Sequence, residues 1–124
     1  MLRWYASAVL FAIGLLVAEP VRAENWPCWR GPRGDGTSEE REVPLRWNGT
    51  TGENIVWKTP LPGRSHSSPI VWDDRLFLVS CIEQQQSRIL FCVDRKSGQI
   101  VWQRTVIAAP LERQHNLNSH ASGT

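Results

Sequence analysis

The sequence has 124 residues, of which 41% are hydrophobic and 21% charged, a composition typical of a globular protein and not of a disordered one. This length is enough for one small domain and too short for two. The 14 basic and 12 acidic residues leave a net charge of +2, which gives no support to nucleic acid as a partner.

The first 23 residues have the layout of a secretory signal peptide. Arg3 makes a basic start, an apolar run follows over 4–17, and Val21-Arg22-Ala23 places small residues where a signal peptidase reads them. The apolar run of about 15 residues is shorter than the roughly 20 residues that span a bilayer. We therefore predict cleavage after Ala23, export to the periplasm or beyond, and no membrane span after cleavage.

Residues 24–54 form a second segment, rich in Gly, Pro, Trp and charged residues. It has neither a helical nor a strand period, so we expect an extended arm held by its tryptophans against a larger body. Within it, Arg33-Gly34-Asp35 spells a cell-adhesion tripeptide and Asn48-Gly49-Thr50 a glycosylation sequon. Matches of three residues are too short to assign either function.

From residue 55 onward, β-branched and aromatic runs alternate with short polar turns, which is typical of strands. Five strands are predicted, with turns at Asp73-Asp74 and at 94–98. No stretch has a sustained helical period, so the region is expected to be all-β, a meander of antiparallel hairpins. The predicted strands cover residues 55–57, 67–72, 75–80, 88–93 and 99–106.

Three cysteines, Cys28, Cys81 and Cys92, remain after the signal peptide. An odd number in an exported protein leaves at least one thiol unpaired. Cys81 and Cys92 fall on neighbouring predicted strands but not opposite each other. Two interpretations stay open: buried small apolar side chains, or one disulfide among the three.

A repeat runs through the β region. Ile55-Val56-Trp57 recurs as Ile100-Val101-Trp102, 45 residues later, and each period holds four strands. A four-stranded blade of a β-propeller takes about 40 to 50 residues. The repeat therefore indicates propeller blades.

The segment from Val93 to Trp102 resembles the repeat of the PQQ-like β-propellers, which places Asp, then Thr or Ser, then Gly, then Trp at fixed spacing. Trp29-Arg30-Gly31-Pro32 and the stretch 63–69 are similar to exported propeller proteins of the planctomycete type that resemble the outer-membrane assembly factor BamB. The resemblance covers residues 26–124.

This resemblance implies part of a β-propeller of four-stranded antiparallel blades. One complete blade, residues 67–106, would be joined by one closing strand at Trp57, and the repeat region 55–124 would be incomplete. Propellers have about four to eight blades, so the chain is expected to be an N-terminal fragment of a longer protein.

The structural residues of this repeat motif are Asp94, Ser97, Gly98, Trp102 and Trp57. Asp94 and Ser97 are expected to cap the turn by accepting backbone N–H groups, and Gly98 to let the chain reverse. Trp102 is expected on the outermost strand, where its ring docks on the next blade and its N–H needs a carbonyl partner.

The sequence gives only weak signals for a catalytic or metal-binding site. His66, His115 and His120 lack partners at metal-ligand spacing, and Ser65-His66-Ser67 lacks an orienting acid, so no catalytic, cofactor-binding or metal residue is assigned. The turn Asp73-Asp74 is not expected to act as an acid–base pair. The polar block 112–122 is expected to face the central channel, where propellers bind ligands.

Two functions from different classes follow from the resemblance. The first is an exported, non-catalytic scaffold that binds other proteins, the remaining blades or a ligand, with no evident cofactor. The alternative is a piece of a quinoprotein dehydrogenase, in which the propeller holds pyrroloquinoline quinone (PQQ) and calcium. Those enzymes place their ligands in several blades, and no residue of this chain matches one of them.

Overall fold

The computed structural model describes residues 23–123, so residues 1–22 of the predicted signal peptide, 1–23, lie outside the described residues. One antiparallel sheet of four strands, in which each strand pairs with the next along the chain, dominates this part of the chain. A short 3-10 turn, Glu83–Gln85, joins the second and third strands. The expected all-β meander is confirmed. Its strands are β1 (Ile70–Trp72), β2 (Arg75–Ile82), β3 (Ser87–Asp94) and β4 (Ile100–Ala108).

Residues 55–57, predicted as a strand, form no strand within the part of the chain that the structure describes, and their role as the closing strand of a propeller stays a prediction. Side chains hold the segment instead: Trp57 donates its indole N–H to the Arg95 carbonyl at 2.9 Å, and the Thr59 hydroxyl donates to the Gly98 carbonyl. The segment therefore lies across the sheet and does not extend its ladder.

The first strand of the sheet begins at Ile70, three residues later than predicted. The Ser67 hydroxyl explains this difference, because it accepts the Val79 N–H at 3.2 Å and donates to the Val79 carbonyl at 2.9 Å. A side chain thus takes the place that the backbone of a longer β1 would occupy.

The two faces of the sheet differ in how they are covered. The core face carries Ile89, Phe91 and Val93, which are buried beneath the half-buried side chains of Trp57 and Leu61. Burying a side chain such as that of Phe91 stabilises the fold by about 1.5–3 kcal/mol. This face is the hydrophobic core.

The open face carries the alternate side chains of the same strands. Cys92 is buried there, flanked by its register partners Phe77 and Trp102, whose ring centroids lie 6.1 Å apart. Leu90 lies beside them on the same face, opposite Val79 in β2. The open face is therefore apolar but only partly covered.

The two edges of the sheet also differ. Trp26 of the arm forms an isolated bridge to Val71, with backbone hydrogen bonds of 2.8 and 2.9 Å in both directions. All nine residues of β4 are exposed on the other edge.

The expected anchoring of the arm through its tryptophans does not extend to Trp29 and Trp47, which are 59% and 69% exposed.

All three cysteines are free. Cys81 lies opposite Arg88, and Cys92 lies opposite Phe77, so the two are not facing each other, as predicted. Both are buried, whereas Cys28 is exposed, which contradicts the interpretation of three buried thiols.

Over residues 23–123 the structure has no helix long and apolar enough to cross a membrane.

Candidate functional site

The turn between β3 and β4 is organised by the Asp94 carboxylate. Its Oδ1 accepts the backbone N–H groups of Lys96 at 3.1 Å and Ser97 at 2.9 Å, and the Ser97 hydroxyl at 2.9 Å. Its Oδ2 accepts Nη1 of Arg75 at 2.8 Å. The Ser97 N–H lowers the pKa of Asp94 most, with further lowering from the Ser97 hydroxyl, Lys96 N–H and Arg75 charge.

Trp57 docks on this turn. Gly98 is buried with φ +71°, and a Cβ at that position would overlap the Trp57 ring. The indole N–H reaches the Arg95 carbonyl, so both the ring and the polar group of Trp57 are satisfied by the turn. The structure thus brings together four of the five motif residues: Asp94, Ser97, Gly98 and Trp57.

The fifth motif residue, Trp102, lies apart from the other four. It belongs to β4 and points to the open face, where its ring packs at a tilt against Phe77. Its side chain is 38% exposed. The two equivalent tryptophans of the repeat are therefore on opposite faces of one sheet.

A cavity of about 650 Å³ lies between the open face and the segment 109–123. Apolar side chains of three strands form its floor: Ile70, Phe77 and Leu90. Polar residues of the predicted channel block line the other side, among them Gln114, Ser119 and His120.

Arg88 fixes the segment that closes this cavity. Its side chain is only 9% exposed and pairs with Glu112 Oε2 at 2.9 Å. It also donates to the carbonyls of Ala109 at 3.4 Å and His120 at 3.3 Å. Sequence reasoning missed Arg88, because an arginine after a polar loop gives no signal that distinguishes it from an exposed strand end.

The three histidines have different surroundings. His120 lines the cavity, His66 is exposed and donates its backbone N–H to the Ala121 carbonyl at 2.9 Å, and His115 lies in the exposed turn before Asn118. The Ser65 hydroxyl donates to the Val79 carbonyl. Within the part of the chain that the structure describes, no group of three or more His, Cys, Asp or Glu side chains could hold a metal ion.

Comparison of the chain with models of known families, with characterised proteins and with solved structures finds no match. Two features of the sheet bear on function: the turn 94–98, on which Trp57 docks, and the cavity on the open face.

Proposed function

We propose that this chain is part of an exported, non-catalytic β-propeller scaffold, in which sheets stack face to face and present a surface for binding other proteins. The observation that carries this proposal is the docking of Trp57 on the turn 94–98. The chain repeats the Trp57 segment at Trp102, on the opposite face of the same sheet.

The relation between the two tryptophans supports stacking. Trp57 enters from outside the sheet and covers the core face, where it packs on Gly98. A neighbouring sheet with an equivalent turn would receive Trp102 in the same way. Face-to-face sheets pack about 10 Å apart through interdigitating apolar side chains, and the open face offers such side chains at Phe77 and Leu90.

The charged groups of the sheet support a scaffold more than an enzyme. Arg75 and Asp94 hold the turn, and Arg88 and Glu112 hold the closing segment. Each pair thus has a positioning role within the fold. A binding surface is supplied by the exposed apolar side chains of β4, including Val101 and Ile107, since contiguous exposed apolar groups favour protein partners.

Tryptophan oxidation tests the stacking. The protein isolated from its source cells and the recombinant chain are each treated with N-bromosuccinimide, and oxidation at each tryptophan is read by mass spectrometry. Trp29 and Trp47 are exposed and serve as oxidised controls. We expect Trp57 to be protected in both samples and Trp102 to be protected only in the protein from cells.

Equal oxidation of Trp102 in the two samples would contradict the stacking, because an assembled propeller buries that indole.

Export is tested on the same preparation by sequencing its N-terminus. Cleavage after Ala23 predicts Glu24 as the first residue. A first residue at Met1 would contradict export by a cleaved signal.

A further inference from the structure

We propose that the α-amino group released at Glu24 by signal-peptide cleavage is bound by the Glu40 carboxylate, and that this ion pair closes residues 24–40 into a loop. The ion pair rests on the proposed function, because it requires export with cleavage after Ala23. Removal of the signal peptide thereby becomes the step that completes the fold of the arm.

Glu40 contacts the atom that acquires the new charge. The Glu24 backbone N–H donates to Glu40 Oε1 at 2.9 Å. Before cleavage this nitrogen belongs to the Ala23–Glu24 peptide bond and is neutral. Hydrolysis of that bond consumes one water and leaves a carboxylate on Ala23 and an ammonium group on Glu24, because an α-amino group has a pKa of about 7.7–8.0. The contact with Glu40 then becomes a charge-assisted hydrogen bond, which is stronger than a neutral one.

The side chain of Glu24 fixes the position of this ammonium group. Arg33 Nη1 donates to Glu24 Oε1 at 2.5 Å and Arg33 Nη2 donates to Oε2 at 2.9 Å, so the contact is bidentate. The hydrogen bond with Arg33 is also the main cause of the lowered pKa of Glu24. The first residue of the mature chain is therefore bound by the same stretch, 33–40, that supplies Glu40.

The turn before Glu40 is held by its own side chains. Asp35 Oδ1 accepts the Thr37 N–H at 2.9 Å and the Thr37 hydroxyl at 2.8 Å. The Ser38 hydroxyl accepts the Glu40 N–H at 3.2 Å. None of these bonds involves Glu24, so the Glu40 carboxylate is placed before the ammonium group forms. Preorganisation of this kind lowers the entropy lost when the pair forms.

The charges around Glu40 favour an ammonium group. Arg33 is paired with Glu24 at 2.5 Å and lies 3.7 Å from the Glu39 carboxylate. Within residues 23–123, Glu40 itself forms no ion pair with a Lys or Arg side chain. Together with Asp35, these carboxylates outnumber Arg33, so a second positive charge is attracted there.

The ion pair joins the sheet-bound start of the arm to its exposed part. Asn25 Oδ1 accepts the Asp73 N–H at 2.6 Å, and Trp26 exchanges backbone hydrogen bonds with Val71. Residues 32–54, in contrast, are exposed throughout. A stronger contact between Glu24 and Glu40 therefore orders a stretch that the sheet does not cover.

The pKa of the α-amino group tests the ion pair. The chain 24–124 is released from a fusion protein by cleavage directly before Glu24, and labelling of its α-amino group by acetic anhydride is followed against pH by mass spectrometry. Only the uncharged amine reacts, so the rates give the pKa. We expect it about half a unit above the ordinary range of about 7.7–8.0, the shift that an exposed ion pair provides.

Two matched variants locate the partner of the ammonium group. Glu40→Gln keeps the length of the side chain and its Oε1 acceptor but removes the charge, so the pKa should return to the ordinary range. Glu42→Gln removes the same charge from another exposed residue of the arm and should keep the raised pKa.

Hydrogen exchange tests the closing of the loop. Acetylation of the α-amino group restores the neutral N–H that the precursor has at Glu24. At pH 6, where the free amine is charged, the acetylated chain should exchange its amides over 33–40 about twofold to fivefold faster than the free chain, the range that one exposed ion pair allows. Exchange in β3 should be equal in both forms.

Three results would overturn the ion pair or the loop that it closes. These are an ordinary α-amino pKa in the unmodified chain, the same raised pKa in Glu40→Gln, and equal exchange over 33–40 in the free and acetylated chains. The chain from the fusion protein begins at Glu24 wherever cells cleave the precursor. A first residue other than Glu24 in the protein from cells would instead overturn the cleavage, so the two failures are distinguishable.

Discussion

At the scale of single residues, the turn at 94–98 combines two requirements at Gly98. The backbone there has φ +71°, a conformation that L side chains rarely adopt, and the Trp57 ring occupies the space that a Cβ would need. The indole N–H of Trp57 is meanwhile held by the Arg95 carbonyl. A change at Gly98 therefore acts on the backbone and on the docked tryptophan together.

Gly98→Ala should destabilise the fold by about 2–4 kcal/mol, through left-handed backbone strain and overlap with the Trp57 ring. Gly34→Ala is the matched control, because Gly34 has the same φ of +71° with no atom within 4 Å of its added Cβ. It should cost only about 1 kcal/mol. Urea unfolding followed by circular dichroism measures both. Equal losses in the two variants would contradict a docked Trp57.

Asp94 makes the stability of the turn depend on pH. Its folded-state pKa lies below the ordinary value of 3.8, chiefly because the Ser97 N–H binds the charged form. Its contribution is therefore complete above the unfolded pKa and is lost as the pH falls through the lower, folded one.

Asp94→Asn should flatten the fall in urea midpoint below about pH 4, the region in which a free Asp titrates. Part of the slope should remain, because the pKa values of Glu24 and Asp35 in the arm are also lowered, the first mainly by Arg33 and the second mainly by the Thr37 N–H. An unchanged slope in Asp94→Asn would show that the turn does not depend on the charged carboxylate.

At the scale of elements, one buried arginine of β3 contacts the segment after β4 at three residues. Arg88 binds the carbonyls of Ala109 and His120 and the Glu112 carboxylate. Hydrogen bonds that involve a charged group are stronger than neutral ones. The order of the segment therefore depends on β3, together with the backbone hydrogen bonds from Ala109 to Gln86 and from His66 to Ala121.

Arg88→Met should speed amide hydrogen exchange over 109–121 by about tenfold or more, the effect of losing charge-assisted hydrogen bonds. Methionine keeps an apolar side chain of similar length, so the sheet should be retained. Arg104→Met, on the exposed strand β4, is the matched control and should leave exchange unchanged. Mass spectrometry of peptides from the segment gives the rates. The same rate in Arg88→Met and in the unmodified chain would contradict this attachment.

The strands of the sheet could be predicted because their signals are local. Alternating β-branched and aromatic residues, with turns at Asp73-Asp74 and 94–98, place β2, β3 and β4 within two residues of their observed bounds. The segment 55–57 has the same local signal but no neighbour to pair with. Pairing depends on residues distant in sequence, which local propensity does not record.

The cavity could be predicted only in part for the same reason. The sequence predicts that the polar block 112–122 faces the central channel of a propeller, which stays a prediction, and in the structure residues of this block line the cavity on the open face. Arg88 was not found, because its role arises only when β3 and the later segment meet in space. The early start predicted for β1 failed because the Ser67 hydroxyl replaces the backbone ladder at Val79.

At the scale of the whole molecule, the core face and the β1 edge of the sheet are covered, while the open face and the β4 edge are open. The core face is covered by the segment that contains Trp57, and β4 is exposed along all nine residues. An exposed apolar edge strand is a template for pairing with another chain. The isolated chain is therefore expected to self-associate.

Val101→Lys should reduce this association, because a charge on an edge strand opposes pairing with another strand. Leu117→Lys makes the same kind of change at an apolar residue that is exposed but outside the sheet, and it should have no effect. Sedimentation velocity over a range of concentrations measures both. Monomeric sedimentation of the unmodified chain at high concentration would contradict the expectation.

The bridge between Trp26 and Val71 decides the symmetry of such edge pairing. Because the arm occupies the β1 edge there, two copies can join their sheets only through β4 against β4. That contact uses the same surface on both partners, so it is isologous and closes at two copies. Without the bridge, β4 of one copy could add to β1 of the next, and the same sheet would be able to polymerise without limit.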